Sequence, residues 1–186
     1  MAKTSMNTSS SYDQKQIRYF SRVRYRSADD PVVRAYAAPK IDLVRKAIPL
    51  SRQSRILDLA CGNGVFTYHL SRISDFTVAL DLSPHLLRQN PFGHRVCSDA
   101  NVLPFADDSF DVVFEANLLH HVPSRDSVIE QMKRVSRRHL VFVEPNRLNP
   151  LMFLFSLAVP EERGVRKSSG RLLKGLLERA GLRTLS

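Results

Sequence analysis

Four acidic residues each close or nearly close an apolar run: Asp58 in Ile56-Leu-Asp-Leu59, Asp81 after Val78-Ala-Leu, Asp99 after Arg95-Val-Cys-Ser98, and Glu115 after Val112-Val-Phe. Each run has the length and composition of a buried parallel strand. The acids therefore sit at strand C-terminal ends, the edge along which open α/β sheets bind ligands. Between the first two runs lies Ala60-Cys-Gly-Asn-Gly64, a turn whose glycines, Gly62 and Gly64, let backbone N–H groups face a ligand without Cβ interference. A glycine turn among carboxylates suits a nucleotide-like ligand that carries positive charge. A dinucleotide fits poorly, because Thr67 stands where the third glycine of that fingerprint belongs and Asp58 would repel a pyrophosphate. A sulfonium or ammonium group is favoured instead, and S-adenosylmethionine carries both. Asp81 lies about twenty residues beyond the turn, at the distance where such folds hold a ribose diol.

His120 and His121 are the other residues whose type suggests chemistry. They follow the fourth strand, and His120 is the candidate general base for an acceptor hydroxyl or carbon acid. The structural alternative has one ring capping the loop while the other packs. No metal site is expected, since adjacent histidines need a third ligand and no Cys/His spacing in the chain supplies one. Methyl transfer from an activated sulfonium also proceeds largely by positioning, so a dedicated base is not required.

The elements that must place these groups can be read in order. Residues 1–11 read as a flexible tail and residues 12–50 as an N-terminal helical cap. The cap has an amphipathic stretch from Tyr12 to Arg26, and a helix that Asp30-Pro31 starts and Pro39 breaks or kinks. Tyr19, Arg22 and Tyr25 are candidates for an acceptor pocket there. Residues 51–186 read as one α/β domain. A helix over 65–72 follows the glycine turn. Ser83-Pro84 starts a short helix to Gln89, Ser124 caps a helix whose C-terminal end gathers Lys133, Arg134, Arg137 and Arg138, and Leu140 to Val143 is a fifth strand. The apolar stretch within 146–155 reads as a lid over the acceptor, and 160–167 as a loop. Ser169 opens a final helix with Leu172, Leu173, Leu176 and Leu177 on one face, ended by Gly181. Strands alternating with helices imply right-handed crossovers and a doubly wound, mostly parallel sheet.

Residues 54–147 resemble the class I S-adenosylmethionine-dependent methyltransferases, in the small-molecule branch that includes quinone-biosynthesis enzymes. The resemblance rests on the glycine turn, the acids at 81 and 99, and Leu103-Pro-Phe-Ala-Asp-Asp-Ser-Phe-Asp111 leading into the fourth strand. It implies that Gly62 and Gly64 approach the methionine part of the cofactor and that Asp58 orients its amino group through the loop or water. Asp81, with Leu82 beside it, would hold the ribose, and Asp99 with Ala100 the adenine. Asn117 would lie near the transferring methyl. Ala60 replaces the first glycine of the family motif, a mild departure. The resembled fold normally adds two further strands after the last helix, so the chain reads as truncated and the fifth strand as an exposed edge that invites a homo-oligomer.

Composition bounds the rest. Apolar residues make up 43% of 186 positions, enough for a core, and Cys61 and Cys97 show no pairing pattern, which fits a reducing cytoplasm. The polar, Ser/Thr-rich first ten residues are not expected to act as a leader, and no apolar run reaches spanning length. The net charge of +10 divides unevenly. Residues 1–55 hold twelve Lys/Arg against four Asp/Glu, residues 56–115 three against eight, and residues 116–186 thirteen against six. An acidic cofactor half suits a cationic ligand, and basic flanks suit an anionic partner. The function expected is methyl transfer to a small-molecule or lipid-like acceptor. The alternatives are an RNA-binding or RNA-modifying protein and a cofactor-binding fold with a non-catalytic partner role. Nucleic acid ranks lower, because Glu115-Ala-Asn-Leu-Leu119 is not the Asn/Asp-Pro-Pro-aromatic loop of base methylation and neither cysteine follows a proline.

Overall fold

The order in which the strands lie fixes where a ligand can enter. In the computed structural model, which describes residues 11–22 and 25–184, strand β1 (Arg55–Leu59) lies between β2 (Phe76–Asp81) and β4 (Phe110–Ala116). Beyond them lie β3 (His94–Cys97) and β5 (Ser136–Val143), giving the order β3-β2-β1-β4-β5. All pairings are parallel. The chain works outward from β1 to β3, then crosses back to β4 on the other side of β1. That reversal opens a crevice at the C-terminal ends of β1 and β4. Nearly all of the expected tail, residues 1–10, lies outside the described residues.

Side chains of period two split between the two faces of the sheet. Leu57, Leu59, Leu80, Val113 and Phe142 meet Val128, Ile129, Met132 and Val135 of α5 (Arg125–Val135) and Leu176 and Leu177 of α7 (Gly170–Arg179). Ile56, Val112, Phe114 and Val141 meet Ala37, Ile41 and Val44 of α2 (Pro31–Ala47), with Phe66 and Leu70. Burial on both faces is why these strands read as continuous apolar runs. Helix starts follow their caps: Asp30 accepts from the Val32 N–H, Ser83 from Leu86, Ser124 from Ser127 and Ser169 from Leu172. The Ser83 cap starts α4 (Pro84–Gln89). Gly181, at φ +74°, ends α7 in the left-handed conformation that glycine adopts without strain.

Five local expectations need correction. Helix α2 runs unbroken through Pro39. Its surroundings explain the tolerance: Ala35, whose carbonyl loses the proline's N–H, is exposed to water, and the Lys40 ammonium donates to the Tyr36 carbonyl at 2.8 Å. The helix after the glycine turn is a single turn, α3 (Thr67–Leu70). Strand β5 begins directly after α5, so Arg137 and Arg138 belong to the strand, 3.6 and 3.8 Å from Asp111, and not to the helix terminus. Residues Pro160–Lys167 form a 3-10 segment in place of a loop. Helix α1 (Ser11–Phe20) also stops short of the expected Arg26.

Candidate active site

The turn after β1 is built by backbone conformations that few residues tolerate. Ala60 leaves the strand at φ +58°, and Gly62 and Gly64 follow at +55° and +96°. The Cys61 N–H donates to the Leu80 carbonyl, tying the turn to β2. Asp81 completes the tie: one carboxylate oxygen accepts from the Gly62 N–H at 2.8 Å, the other from the Ser83 N–H at 2.7 Å. Burial holds the Asp81 carboxyl above its ordinary pKa despite these two N–H donors. Each oxygen retains capacity for a further donor.

Asp58 and Gly64 do not border the ligand space. A Cβ on Gly64 would lie 2.4 Å from Asn90 Oδ1, so this glycine is required by packing as well as by φ. Asn90 Nδ2 donates to Thr67 Oγ1 at 3.0 Å, and Thr67 Oγ1 donates to Asp58 at 2.5 Å. Thr67, which the sequence offered only as a missing glycine, is thus the residue that satisfies a fully buried carboxylate behind the turn. Burial lifts the Asp58 carboxyl to about 7, with the Thr67 hydroxyl opposing and the nearby Asp81 charge adding to the rise.

A cavity of about 530 Å³ opens at the crevice between β1 and β4, well within the size of a cofactor-plus-substrate site. Of the candidate residues, Ala60, Gly62, Asp81, Leu82, Asp99, Ala100, Asn117 and His120 line it. Asp99 accepts from both the backbone and side-chain N–H groups of Asn101 through one oxygen, which leaves the other open. Asn117 adopts φ +61°, a conformation asparagine tolerates better than most residues, and donates its N–H to the Val143 carbonyl. A Cβ at Gly62 would meet nothing within 4 Å, so the backbone there is open to a ligand. An acidic, glycine-backed pocket of this size fits S-adenosylmethionine, and Asp81 and Asp99 would be placed to accept from its hydroxyl and amine donors. When bound, the cofactor supplies an electrophilic methyl group on a sulfonium.

Much of the remaining lining is apolar and comes from outside the sheet. Ile17 and Phe20 of α1, Val32 and Tyr36 of α2, and Met152 and Phe155 of α6 (Pro150–Ala158) contribute to it, as does Tyr25. Tyr19 and Arg22 do not line the cavity. Helix α6 therefore borders the acceptor space as a lid would, while most of its surface stays exposed.

Set beside this lining is a chain of buried and partly buried titratable groups, two of whose members the sequence did not reveal. His120 and His121 lie in a 3-10 turn, Leu119–His121, just after β4. His120 Nδ1 is 2.9 Å from Glu144 at the end of β5, and its Nε2 is 3.4 Å from Glu162 in the 3-10 segment. His121 Nε2 lies 3.8 Å from Glu162. Burial alone would pull the His120 pKa down; the hydrogen bonds to the two carboxylates outweigh it and hold the pKa above ordinary. Burial, reinforced by the neighbouring His120, drops His121 to about 4, so it is neutral. Glu115 is fully buried, and burial, then the adjacent Glu144, keep it protonated well above the usual carboxylate range. Glu115 therefore faces no ligand; it accepts from the Leu118 N–H and anchors the turn that carries the histidines. Only the long-range partners Glu144 and Glu162 were hidden, since nothing in their local sequence points back to residue 120.

Comparison with known proteins agrees with this geometry. Residues 57–143 match the protein family described as "Methyltransferase domain". Demethylmenaquinone methyltransferase of Mycobacterium marinum is 33% identical over 122 residues, covering 63% of this chain and 52% of the relative. 27-O-demethylrifamycin SV methyltransferase of Amycolatopsis mediterranei is 34% identical over 107 residues, covering 52% of this chain and 39% of the relative. The chain thus spans about half, or less, of the length of these curated relatives. Among solved structures, a SAM-dependent methyltransferase from Aquifex aeolicus superposes with a TM-score of 0.69 at 19% identity, covering 92% of this chain and 89% of the other. One from Thermotoga maritima gives 0.69 at 17% identity, covering 92% and 77%. These two establish the fold. With the family match spanning β1 to β5 and the glycine turn, Asp81 and Asp99 around one cavity, residues 57–143 match a methyltransferase domain and the chain is similar to the class I S-adenosylmethionine-dependent methyltransferases.

Proposed function

We propose that this chain transfers a methyl group from S-adenosylmethionine to a small, largely apolar acceptor bearing an oxygen function, of the quinone-precursor or hydroxylated-macrocycle kind named for its relatives. The carrying observation is the cavity's divided lining: acidic and glycine-backed beside β1, β2 and β3, apolar beside α1, α2 and α6, with one polar corner at His120, His121 and Glu162. In this reading residues 12–50 act as the cap that closes the acceptor space. His120 has both ring nitrogens engaged by carboxylates, so its role is a fixed polar anchor for the acceptor and not a free base. The rest is positioning and exclusion of water.

A lipid-like acceptor is favoured over a freely soluble polar one by α6. Its Leu151, Leu154 and Leu157 are exposed, while Met152 and Phe155 border the cavity. No acidic residue occurs from Pro145 to Pro160, and Arg147 adds positive charge, which suits approach to an anionic lipid surface. No helix among the described residues is long and apolar enough to cross a membrane. Nothing in the site favours nucleic acid. The edge of β5 is offered to a second copy of the chain as a further partner.

Calorimetry with S-adenosylhomocysteine and a labelled-methyl assay over hydroxylated quinone precursors test the reading. Asp81→Asn should weaken cofactor binding about tenfold to a hundredfold, the cost of one charge-assisted hydrogen bond. Equal affinity in the two proteins would remove Asp81 from the cofactor site and sink the assignment.

A further inference from the structure

We propose that His120, His121 and Glu162 form a site for one divalent first-row transition-metal ion on the wall of the acceptor cavity. The sequence offers two adjacent histidines and no third ligand near them. The fold supplies one, because the 3-10 segment Pro160–Lys167 packs on the histidine turn so closely that a Cβ on Gly164 would overlap the His120 carbonyl. One ligand atom from each of the three residues then lies within 4.8 Å of the other two. His120 Nε2 and Glu162 are 3.4 Å apart, and His121 Nε2 and Glu162 3.8 Å. Ligands roughly 2.0–2.1 Å from a tetrahedral ion stand about 3.4 Å apart, so modest side-chain rotation closes the site.

Two further features belong to metal sites more than to an ordinary ion pair. Glu144 accepts from His120 Nδ1 at 2.9 Å, so an ion would displace the proton on Nε2 and take the lone pair on the side facing Glu162. A carboxylate behind a ligating histidine is the usual outer partner of such a ligand. Glu144 is itself held by the Leu119 N–H, so this support is built in. The charge also balances: two partly buried carboxylates, Glu144 and Glu162, match one divalent ion with neutral histidines. Two imidazoles and one carboxylate select zinc, cobalt, manganese or iron over the oxygen-seeking magnesium and calcium. All three ligands line the cavity, so an open position on the ion faces the acceptor space. There it would take a water or an acceptor oxygen, and that last role rests on the function proposed above; ion binding does not.

The test uses the full chain, tag-free, stripped with chelator and carrying Cys97→Ser to remove an exposed thiol. Zinc titration by calorimetry should give one ion per chain, and cobalt should give visible ligand-field absorption. His121→Gln and Glu162→Gln should each lose zinc affinity by a hundredfold or more and abolish the cobalt spectrum. Glu144→Gln should lose about tenfold to a hundredfold. His94→Gln, on an exposed strand position, should change nothing. Circular dichroism and S-adenosylhomocysteine affinity report whether the variants are folded. Folded variants that bind zinc like the parent, or a parent that binds none, overturn the site. Intact zinc binding without any cofactor binding would leave the site standing and refute the methyltransferase proposal instead.

Discussion

Replacing Asp58 by Asn should change how stability depends on pH, and the size of the change follows from where the carboxyl sits. Its side chain is 1% exposed, and its folded pKa is about 7 against an ordinary 3.8. An acid whose pKa is raised on folding binds more protons in the native state across the window between the two values. Its favourable contribution is complete below pH 3.8, is lost as pH rises through 7, and does not change further above that. The full cost of ionising Asp58 is about 4 kcal/mol at 1.36 kcal/mol per pKa unit, an upper figure. Between pH 5 and 7.5 roughly 2.5 kcal/mol of it should appear. Asn keeps an oxygen to accept from Thr67 Oγ1 but has no charge to desolvate. Urea unfolding of both proteins across pH 5 to 8 isolates the effect, since the histidine network titrates in both and cancels in the difference. The parent should lose stability relative to the variant as pH rises, levelling near pH 7.5. A difference constant with pH would show that Asp58 is not titrating in this range.

Two other substitutions probe the backbone of the site. Ala60→Gly should raise unfolding stability by up to about 1 kcal/mol, because an L-residue in the left-handed region pays roughly 1–2 kcal/mol, partly offset by glycine's unfolded-state freedom; a destabilised variant in urea would contradict the strained assignment at φ +58°. Gly164→Ala places a methyl into the His120 carbonyl and should cost about 1–3 kcal/mol, the range for overpacking. Thermal unfolding measures it, and an unchanged midpoint would mean the 3-10 segment does not press on the histidine turn.

Much of the frame is legible in sequence because local chemistry dictates it. The apolar runs at 56–59, 78–80 and 112–114 are strands since both their faces are covered, and the serines at 83, 124 and 169 cap helices since each can accept from an N–H of the first turn. Residues of the cavity wall, Asp81, Asp99 and Asn117, follow from strand ends. What failed depended on contacts far along the chain. Asp58 reads as an acid acting on the ligand through the loop or water, and the partner that the sequence hides is Thr67, which satisfies it from behind the turn. Pro39 reads as a break or a kink, and a break is avoided because Ala35 is exposed to solvent and the Lys40 ammonium donates to the Tyr36 carbonyl. Glu144 and Glu162 are ordinary acids in sequence, and only the crossing of β5 and the 3-10 segment brings them to His120.

The junction between α5 and β5 has a consequence for chain length. No residue separates helix from strand, yet the pairing of β4 with β5 steps from Phe110 opposite Ser136 to Val112 opposite His139. Three residues on β5 are matched against two on β4, so the strand carries one surplus residue within Arg137 and Arg138. That bulge acts as slack. Loss of one of the two arginines can be absorbed by straightening the bulge, leaving Leu140 and Phe142 on one face and Val141 on the other. Past His139 there is no such reserve. A single inserted or deleted residue there exchanges the two faces of the strand and carries Glu144 out of line with His120.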